Sequence, residues 1–388
     1  MDSTTGANAE FCFDVFKELK AHHANDNILY SPLSIISTLA MVYMGARGNT
    51  EYQMEKVLHF DNITGVEDTN DSQCGTSEYI HNSFKDILWD ITTPNATHSL
   101  KIADRLYIEK TYPILPEYLK CAKRFYKAGL EEVNFKTATE EARQLINSWV
   151  EKETDGQIQD FLEPGSVDLD TELILVNAVY FKGIWKTAFK EDDTREAPFN
   201  VTKQESRPVQ MMCQNNTFKL AAVAADKVKI LELPYTSGEL SMLVLLPDDV
   251  SGLEQLENKI SFEKFTEWTS PSVMKKKRVN LYLPRMKVEE KYNLTSVLMA
   301  LGMTDLFSPL ANLSGISSAE SLKISEAIHE VSMEVNEEGT EISGSADLIE
   351  DIDNSSEFEE FRVDHPFLYL IKHNPTNNIL VFGRYRSP

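Results

Sequence analysis

The chain of 388 residues is strongly acidic, with 61 Asp and Glu against 38 Lys and Arg and a formal net charge of −23. This balance makes nucleic-acid backbones and anionic membranes poor partners. No apolar run is long enough to span a bilayer as a helix, and the first residues lack the basic and apolar regions of a cleavable signal peptide.

The first residues predict two helices. Residues 7–23 carry apolar side chains at helical spacing. Ser31 followed by proline predicts the start of a second helix, because serine caps a first turn and proline fits its backbone angle. That helix, 32–44, is apolar nearly all round and should be buried. Gly45 and Gly48 are expected to end it.

Strands and helices then alternate in the predicted order. Residues 61–80 are polar and acidic and predict an exposed loop. Strands are predicted at 102–108 and 130–135, with a helix at 117–126 between them. Thr137 and Glu140 have capping-box spacing, which predicts another helix start. The apolar face predicted for that helix consists of Leu145, Ile146, Trp149 and Val150.

The second half is predicted to be mainly strands. Residues 173–181 form a continuous apolar run, typical of a strand covered on both faces, and Asn177 inside it must find a buried partner. Further strands are predicted at 228–233, 240–246, 279–283, 367–371 and 379–382, and short helices at 252–258, 262–267 and 294–301. The basic run 274–278 is interpreted as a solvated strand end rather than a polyanion site. Early helices, later strands and the absence of a linker indicate one α+β domain over residues 1–388.

Motifs of catalysis are absent from the sequence. There is no hydrolase nucleophile elbow, phosphate-binding loop, dinucleotide-binding glycine pattern or zinc-protease motif. The eight histidines have no ligand spacing, and His329 is interpreted as a core histidine. We therefore expect no enzyme activity, no metal ion and no cofactor. The four cysteines, Cys12, Cys74, Cys121 and Cys213, permit up to two disulfides.

An acidic segment, 337–361, separates the strand-like pieces 332–335 and 366–371. It contains ten Asp and Glu and no Lys or Arg. Long segments of this kind inside a domain tend to be functional or disordered. Every second residue from Thr340 to Ile352 is mostly small or apolar, which is the period of a half-buried strand, although chance alternation in a surface loop explains the pattern equally well. Leu348, Ile349 and Ile352 also share helical spacing, which predicts a short helix at 347–352.

Five sequence motifs together resemble the serpin family over essentially the whole chain. They are NILYSPLSI at 27–35, LVNAVYFKG at 175–183, LPR at 283–285, EVNEEGT at 334–340 and HPFL at 365–368. The ending FGRYRSP and the missing cleavable signal are similar to the ovalbumin group of that family. The resemblance implies a serpin fold with three β-sheets, about nine helices and an exposed reactive-centre loop at about 339–361.

The resemblance also implies covalent features and a location. It implies a disulfide between Cys74 and Cys121, with Cys12 and Cys213 as free thiols. An internal, uncleaved signal at about 28–45 would direct a monomeric glycoprotein to egg white. The eight N-x-S/T sequons favour secretion as well, and the expected glycosylation sites among them are Asn293, Asn95, Asn62 and Asn215. The family's buried polar cluster, which controls opening of the main sheet, is matched by Asn27, Ser31, Ser34, Asn177 and His329.

The same resemblance defines how the loop would act on a protease. An inhibitory serpin is cleaved at its bait bond, here Asp353–Asn354 by the family's spacing, and inserts the loop into the main sheet. The hinge residues are Glu337, Gly339, Thr340 and Ile342. Gly339 and Thr340 match inhibitors, whereas ovalbumin carries a charged residue at the position of Thr340. Ile342 stands where inhibitors carry alanine, and Glu350 places a charge on the inward face.

Two functions are therefore open. The expected one is a non-inhibitory storage or defence protein, because Ile342 slows insertion and the acidic residues around Asp353 exclude trypsin-like proteases. The alternative is a suicide inhibitor of an Asp-directed serine or cysteine protease. A third class, a binding protein for heparin, would need a basic face that the net charge does not suggest.

Overall fold

The computed structural model describes residues 3–63, 74–75, 77–93, 98–127, 129–342 and 357–388. Within these ranges the α-helices are α1 (Ser3–His22), α2 (Pro32–Tyr43), α3 (Gly48–Val57), α4 (Glu78–Thr92), α5 (Pro116–Phe125), α6 (Thr139–Glu153), α7 (Leu253–Lys259), α8 (Phe262–Trp268) and α9 (Thr295–Leu301). The first eight strands are β1 (Ile28–Tyr30), β2 (His98–Glu109), β3 (Leu130–Val133), β4 (Leu173–Gly183), β5 (Trp185–Ala188), β6 (Arg195–Asn200), β7 (Ser206–Val223) and β8 (Val228–Pro234). The others are β9 (Leu240–Pro247), β10 (Lys275–Pro284), β11 (Met286–Asn293), β12 (Ile324–Val335), β13 (Gly339–Ile342), β14 (Glu359–Arg362), β15 (Phe367–His373) and β16 (Asn378–Tyr385).

A five-stranded sheet has the order β11-β12-β4-β2-β3. Its two central strands, β12 and β4, are parallel, whereas β11–β12 and β4–β2 are antiparallel. Parallel neighbours cannot be joined by a tight turn, and here they come from distant parts of the chain. The seam between β4 and β12 is therefore held by hydrogen bonds and packing, without a local connection.

A nine-stranded sheet has the order β1-β16-β15-β9-β8-β7-β10-β14, with β6 also paired to β7. The long strand β7 makes this possible, because it pairs with β6 over Ser206–Met211, with β10 over Met211–Leu220 and with β8 over Lys219–Val223. A third sheet consists of β13 and β5. Three sheets and nine helices among the described residues confirm the predicted α+β serpin-like architecture.

Helix α2 connects the two large sheets. Ser31 caps it as predicted, its hydroxyl accepting a hydrogen bond from the Ser34 amide, and every residue of the helix is buried. The helix packs against β16 on one side and against β4 and β2 on the other. An all-round apolar helix fits this position because it has no solvent-facing side.

Several local predictions were wrong. Gly48 begins α3 instead of ending α2, and the predicted exposed loop 61–80 ends in the first turn of α4. Thr137 and Glu140 do not form a capping box, because Ala138 and not Thr137 is the N-cap residue of α6. The Glu140 side chain pairs with Arg143 instead. Leu145 is 53% exposed and does not belong to the buried face of α6.

The sequence did not predict α3, α4, β5, β6, β7 or β11. These elements are rich in polar residues, and β7 includes Pro208 at the point where it pairs with β6. A strand of this composition has no clean alternation of apolar and polar residues. Strand β7 is stabilised by pairing with neighbouring strands on both sides, which its own sequence pattern does not reveal.

Candidate functional site

The hinge of the loop is held in a small parallel ladder. Gly339 of β13 lies opposite Trp185 of β5, and Ile342 lies opposite Ala188. A Cβ atom on residue 339 would lie 2.5 Å from the backbone nitrogen of Ala188, so only glycine permits this approach. The Thr340 hydroxyl lies 2.7 Å from that of Thr236. The intact hinge is therefore a strand outside the five-stranded sheet.

Glu337 anchors the residues before the hinge. Its side chain is 5% exposed, and its carboxylate accepts hydrogen bonds from Arg285 at two nitrogens, with Nε to Oε1 at 2.9 Å. The Thr194 hydroxyl donates to Oε2 at 2.9 Å. The hydrogen bond from Arg285 holds the pKa of Glu337 below its ordinary value, against the opposing effect of burial. Arg285 belongs to the LPR motif, but the sequence did not indicate its partner.

The other end of the loop is attached to the nine-stranded sheet. Strand β14 pairs in parallel with β10. The Arg278 guanidinium lies 4.6 Å from the ring centre of Phe358, and the Lys277 ammonium lies 3.2 Å from a carboxylate oxygen of Glu359. Part of the basic run 274–278 thus contacts the acidic segment, while Lys275 and Lys276 are exposed at the strand end, as predicted.

Several predictions about the loop lie outside the described residues. These are the bait bond Asp353–Asn354, the helix at 347–352, the inward position of Glu350 and the alternation beyond Ile342. Of Ile342 only the backbone is described.

A row of polar side chains crosses the five-stranded sheet. Asp104 of β2 lies opposite Asn177 of β4, Asn177 opposite His329 of β12, and His329 opposite Tyr292 of β11. Directly opposite residues on neighbouring strands point to the same side of a sheet. The row therefore presents one line of polar groups, and α2 packs on that side.

His329 joins the seam strands to the start of α2. Its Nδ1 lies 2.6 Å from Asn177 Oδ1, and the amide nitrogen of Ser31 donates to Nε2 at 3.0 Å. Because Nε2 accepts, the proton of the neutral ring is on Nδ1, which donates to Asn177. Burial lowers the pKa of His329 to about 3, so the ring is neutral. Asn177 thus has the buried partner that the sequence required.

Ser34 and Thr38 on α2 extend the row to Asp104. The Asn177 amide donates to the Ser34 carbonyl and to Thr38 Oγ1, both at 3.0 Å. The Ser34 hydroxyl lies 2.8 and 2.9 Å from the two carboxyl oxygens of Asp104. Neither Thr38 nor Asp104 was predicted. Thr38 stands four residues after Ser34 on the same helix face, and Asp104 is a polar residue inside a predicted strand.

Asn27 does not belong to this cluster. Its side chain donates to the Ser387 carbonyl at 2.9 Å and accepts from the Arg386 amide at 2.7 Å. It therefore ties the start of β1 to the end of the chain. The prediction from the NILYSPLSI motif was wrong for this residue, because Asn27 precedes β1 and lies beyond the end of the polar row.

The predicted glycosylation sites are in different situations. Asn293, at the end of β11, and Asn215, on β7, are exposed. The described structure of Asn62 is limited to its backbone in a 3₁₀ turn, and Asn95 lies outside the described residues. Among the described residues, no group of three His, Cys, Asp or Glu side chains is placed to hold a metal ion.

Comparison with known proteins identifies the family. The profile described as "Serpin (serine protease inhibitor)" matches residues 6–388. The chain belongs to the serpin family. This serpin is 66% identical to ovalbumin-related protein Y of Gallus gallus over 388 residues, which cover the whole of both chains. It also matches a crystal structure of uncleaved ovalbumin with a TM-score of 0.92 and 58% identity, again over the whole of both chains.

Another match is a loop-inserted structure of a cleaved ovalbumin mutant, with a TM-score of 0.89, 56% identity and full coverage of both chains. The serpin described here has β4 and β12 paired directly with each other. It also contains the expected disulfide between Cys74 and Cys121, whose Cα atoms are 5.7 Å apart, while Cys12 and Cys213 are free thiols.

Proposed function

We propose that this serpin is a secreted, ovalbumin-type egg-white glycoprotein that does not inhibit proteases efficiently and serves in storage or defence. Its similarity to ovalbumin and to ovalbumin-related protein Y supports the assignment to this type. The observation that carries the non-inhibitory part is the hinge ladder between β13 and β5.

Insertion of the loop requires Gly339–Ile342 to leave this ladder. The ladder hydrogen bonds and the contact between Thr340 and Thr236 must break before new bonds form in the five-stranded sheet. A protein hydrogen bond contributes about 1 kcal/mol net, so the barrier rises by a few kcal/mol. The branched side chain of Ile342, which must then enter a packed sheet, adds roughly 1–3 kcal/mol. Inhibition depends on speed, because insertion must precede deacylation, and these costs slow it.

The alternative is a suicide inhibitor with the bait bond Asp353–Asn354, selective for an Asp-directed protease. Gly339 and Thr340 favour it, since small hinge side chains insert with little steric cost. The parallel seam between β4 and β12 can accept a strand antiparallel to both. The loop-inserted form of the ovalbumin mutant supports this capacity in a relative.

The test is thermal unfolding of the intact protein before and after the loop is nicked, together with electrophoresis of mixtures with Asp- and Glu-directed proteases. We expect no large rise in Tm after nicking and release of active protease. An SDS-stable complex with any protease would overturn the proposal and favour the inhibitor.

Two hinge variants form a matched pair for this test. Ile342→Ala removes the branched side chain and should permit a rise in Tm after nicking. Thr340→Arg places a charge at the hinge and should show no rise. If Ile342→Ala behaves like the wild type, the hinge residue is not the barrier, and another part of the loop or sheet must account for slow insertion.

Secretion through an internal signal at 28–45 is part of the proposal. In the folded protein every residue from Ile28 to Gly45 is buried, so the signal must be recognised before folding. None of the helices in the described ranges is both long and apolar enough to cross a membrane. Expression of the full chain in secreting cells, with deletion of residues 28–45 compared with deletion of residues 3–22, tests this part; secretion of the first deletion variant would contradict it.

A further inference from the structure

The hydroxyl of Ser34 has one hydrogen but lies close to three acceptor oxygens. Two are the carboxyl oxygens of Asp104, at 2.8 and 2.9 Å, and the third is Asn177 Oδ1, at 3.1 Å. A hydroxyl donates one hydrogen bond. At least one of these short contacts therefore needs a proton from another group.

The neighbouring groups cannot supply it. Both amide hydrogens of Asn177 are used by the Ser34 carbonyl and Thr38 Oγ1. The Thr38 hydroxyl donates to the Ser34 carbonyl at 2.9 Å and also lies within reach of the Asp104 carboxyl group, but its hydrogen does not lie between Ser34 Oγ and an acceptor. The ring proton of His329 goes to Asn177 Oδ1. If Asp104 were ionised, the oxygen of Ser34 would face one neighbour as acceptor against acceptor: the carboxylate if its hydrogen goes to Asn177, or Asn177 Oδ1 if its hydrogen goes to the carboxylate.

We propose that Asp104 is a neutral carboxylic acid at neutral pH and donates to the Ser34 hydroxyl, which in turn donates to Asn177 Oδ1. The contact of Ser34 with one oxygen of Asp104 and its contact with Asn177 Oδ1 then each carry one proton. The resulting chain runs from Asp104 on β2 through Ser34 to Asn177 on β4, where His329 of β12 donates from the other side. The inference does not depend on whether the protein inhibits proteases.

The surroundings of Asp104 favour the neutral form. Helix α2 has no charged side chain, and no salt bridge of the described residues includes Asp104. Along the polar row the titratable groups are His329, which is neutral, and Tyr292 at the far end. Glu290 of β11 shares this face of the sheet beyond the row, Tyr43 is the one titratable side chain of α2, and His81 is the one on the buried face of α4. Arg105, the next residue of β2, stacks on Trp149 of α6.

Burial raises the pKa of Asp104 to about 8, although hydrogen bonds with Ser34 and Thr38 oppose the rise. The residue is only partly buried, so protons can exchange with solvent. Ionisation at alkaline pH turns the Ser34 hydroxyl toward Asp104 and removes one donor from Asn177 Oδ1. The pairing of β4 with β12 is then less stabilised, so alkaline pH should make the five-stranded sheet easier to open.

Infrared difference spectroscopy of the wild type against Asp104→Asn tests the protonation state directly. The asparagine amide donates to Ser34 permanently and imitates the neutral acid. At pH 6 we expect a protonated-carboxyl band in the wild type that is missing in the variant and that vanishes at pH 10. Other carboxyl groups with raised pKa values, such as Glu290 and Glu330, are present in both proteins and cancel. A carboxylate band from Asp104 at pH 6 would overturn the proposal.

A second measurement monitors the pairing of β4 with β12. Hydrogen exchange of the β12 peptide around His329, corrected for the intrinsic pH dependence of exchange, should lose protection between pH 7 and 10 in the wild type but not in Asp104→Asn. Ser34→Ala keeps the Asp104 carboxyl group but removes the hydroxyl that connects it to Asn177. The protection of the β12 peptide in this variant should therefore not depend on pH in this range. Equal pH dependence of protection in all three proteins would contradict the proposal. If Asp104→Asn does not fold, the comparison of the wild type with Ser34→Ala still tests it.

Discussion

His329 and Asn177 lie directly opposite each other on β12 and β4, and a 2.6 Å hydrogen bond from Nδ1 to Oδ1 joins their side chains across the parallel seam. Any strand added between β4 and β12 must break this bond. The closed sheet is therefore stabilised at the place where an inserted loop would separate it.

Asn177→Ala should destabilise the protein. The substitution leaves the buried His329 Nδ1–H without an acceptor and removes two bonds to α2. We expect the free energy of unfolding to fall by roughly 1–3 kcal/mol, measured by denaturant unfolding. Gln210→Ala, at an exposed position of β7, is the control and should change it by less than about 0.5 kcal/mol. Equal effects of the two substitutions would show that the polar row contributes no specific stability.

Arg285→Met should loosen the start of the hinge, because the Glu337 carboxylate loses its charged partner. Arg285 is 45% exposed, so solvent screening limits the expected loss to roughly 1–2 kcal/mol at pH 7. The pKa of Glu337 is depressed in the folded protein, so its contribution is present above the ordinary carboxyl pKa and is lost as pH falls through the folded value.

The measurement is Tm of the wild type and Arg285→Met as a function of pH. The difference should be largest near pH 7 and should narrow below about pH 4. Lys287→Met, an exposed lysine on neighbouring β11, is the control for loss of one positive charge. A difference that persists unchanged at acidic pH would contradict the role of the ion pair.

His59 should stabilise the protein most at acidic to neutral pH. Its two ring nitrogens lie 2.8 Å from Glu10 and 2.7 Å from Asp14 on α1. Burial is the largest influence and lowers the pKa of His59, but the two carboxylates together raise it above its ordinary value. A raised pKa means that the stabilisation is complete below the ordinary histidine pKa and is lost as pH rises through the folded value.

His59→Asn should therefore lower Tm at pH 5.5 more than at pH 9. Asparagine is chosen because residue 59 has a left-handed backbone with φ of 58°, which asparagine tolerates. His22→Gln, at the exposed end of α1, is the control and should show no such dependence. If His59→Asn lowers Tm equally at both pH values, the imidazole is uncharged in the fold.

Removal of the disulfide should be the most destabilising of these changes. The bond between Cys74 and Cys121 spans 47 residues of sequence, and closing a loop of this length contributes about 4 kcal/mol in the chain-entropy account. We expect Cys74→Ala/Cys121→Ala to unfold at correspondingly lower denaturant. Cys213→Ala removes a free thiol and should have little effect; similar losses in both variants would indicate that packing, not the cross-link, is responsible.

The sequence by itself determined the elements whose signals are local. The serine–proline start of α2, the continuous apolar run of β4 and the last two strands, β15 and β16, were predicted because each pattern lies within a few consecutive residues. The family resemblance carried by five motifs implied the three-sheet fold, the disulfide between Cys74 and Cys121, and the residues Ser31, Ser34, Asn177 and His329 of the buried cluster.

The tertiary structure alone decided which distant polar groups meet. Asp104 belongs to the cluster and Asn27 does not, because the register of β2, β4 and β12 decides which side chains lie next to one another. Register does not follow from the composition of any one strand. For the same reason, Glu337 meets Arg285, which follows β10, and Thr194, which precedes β6, while Thr340 meets Thr236, which follows β8. Polar contacts between segments far apart in the chain depend on the assembled sheets, whereas helix caps and apolar runs depend on neighbours in sequence.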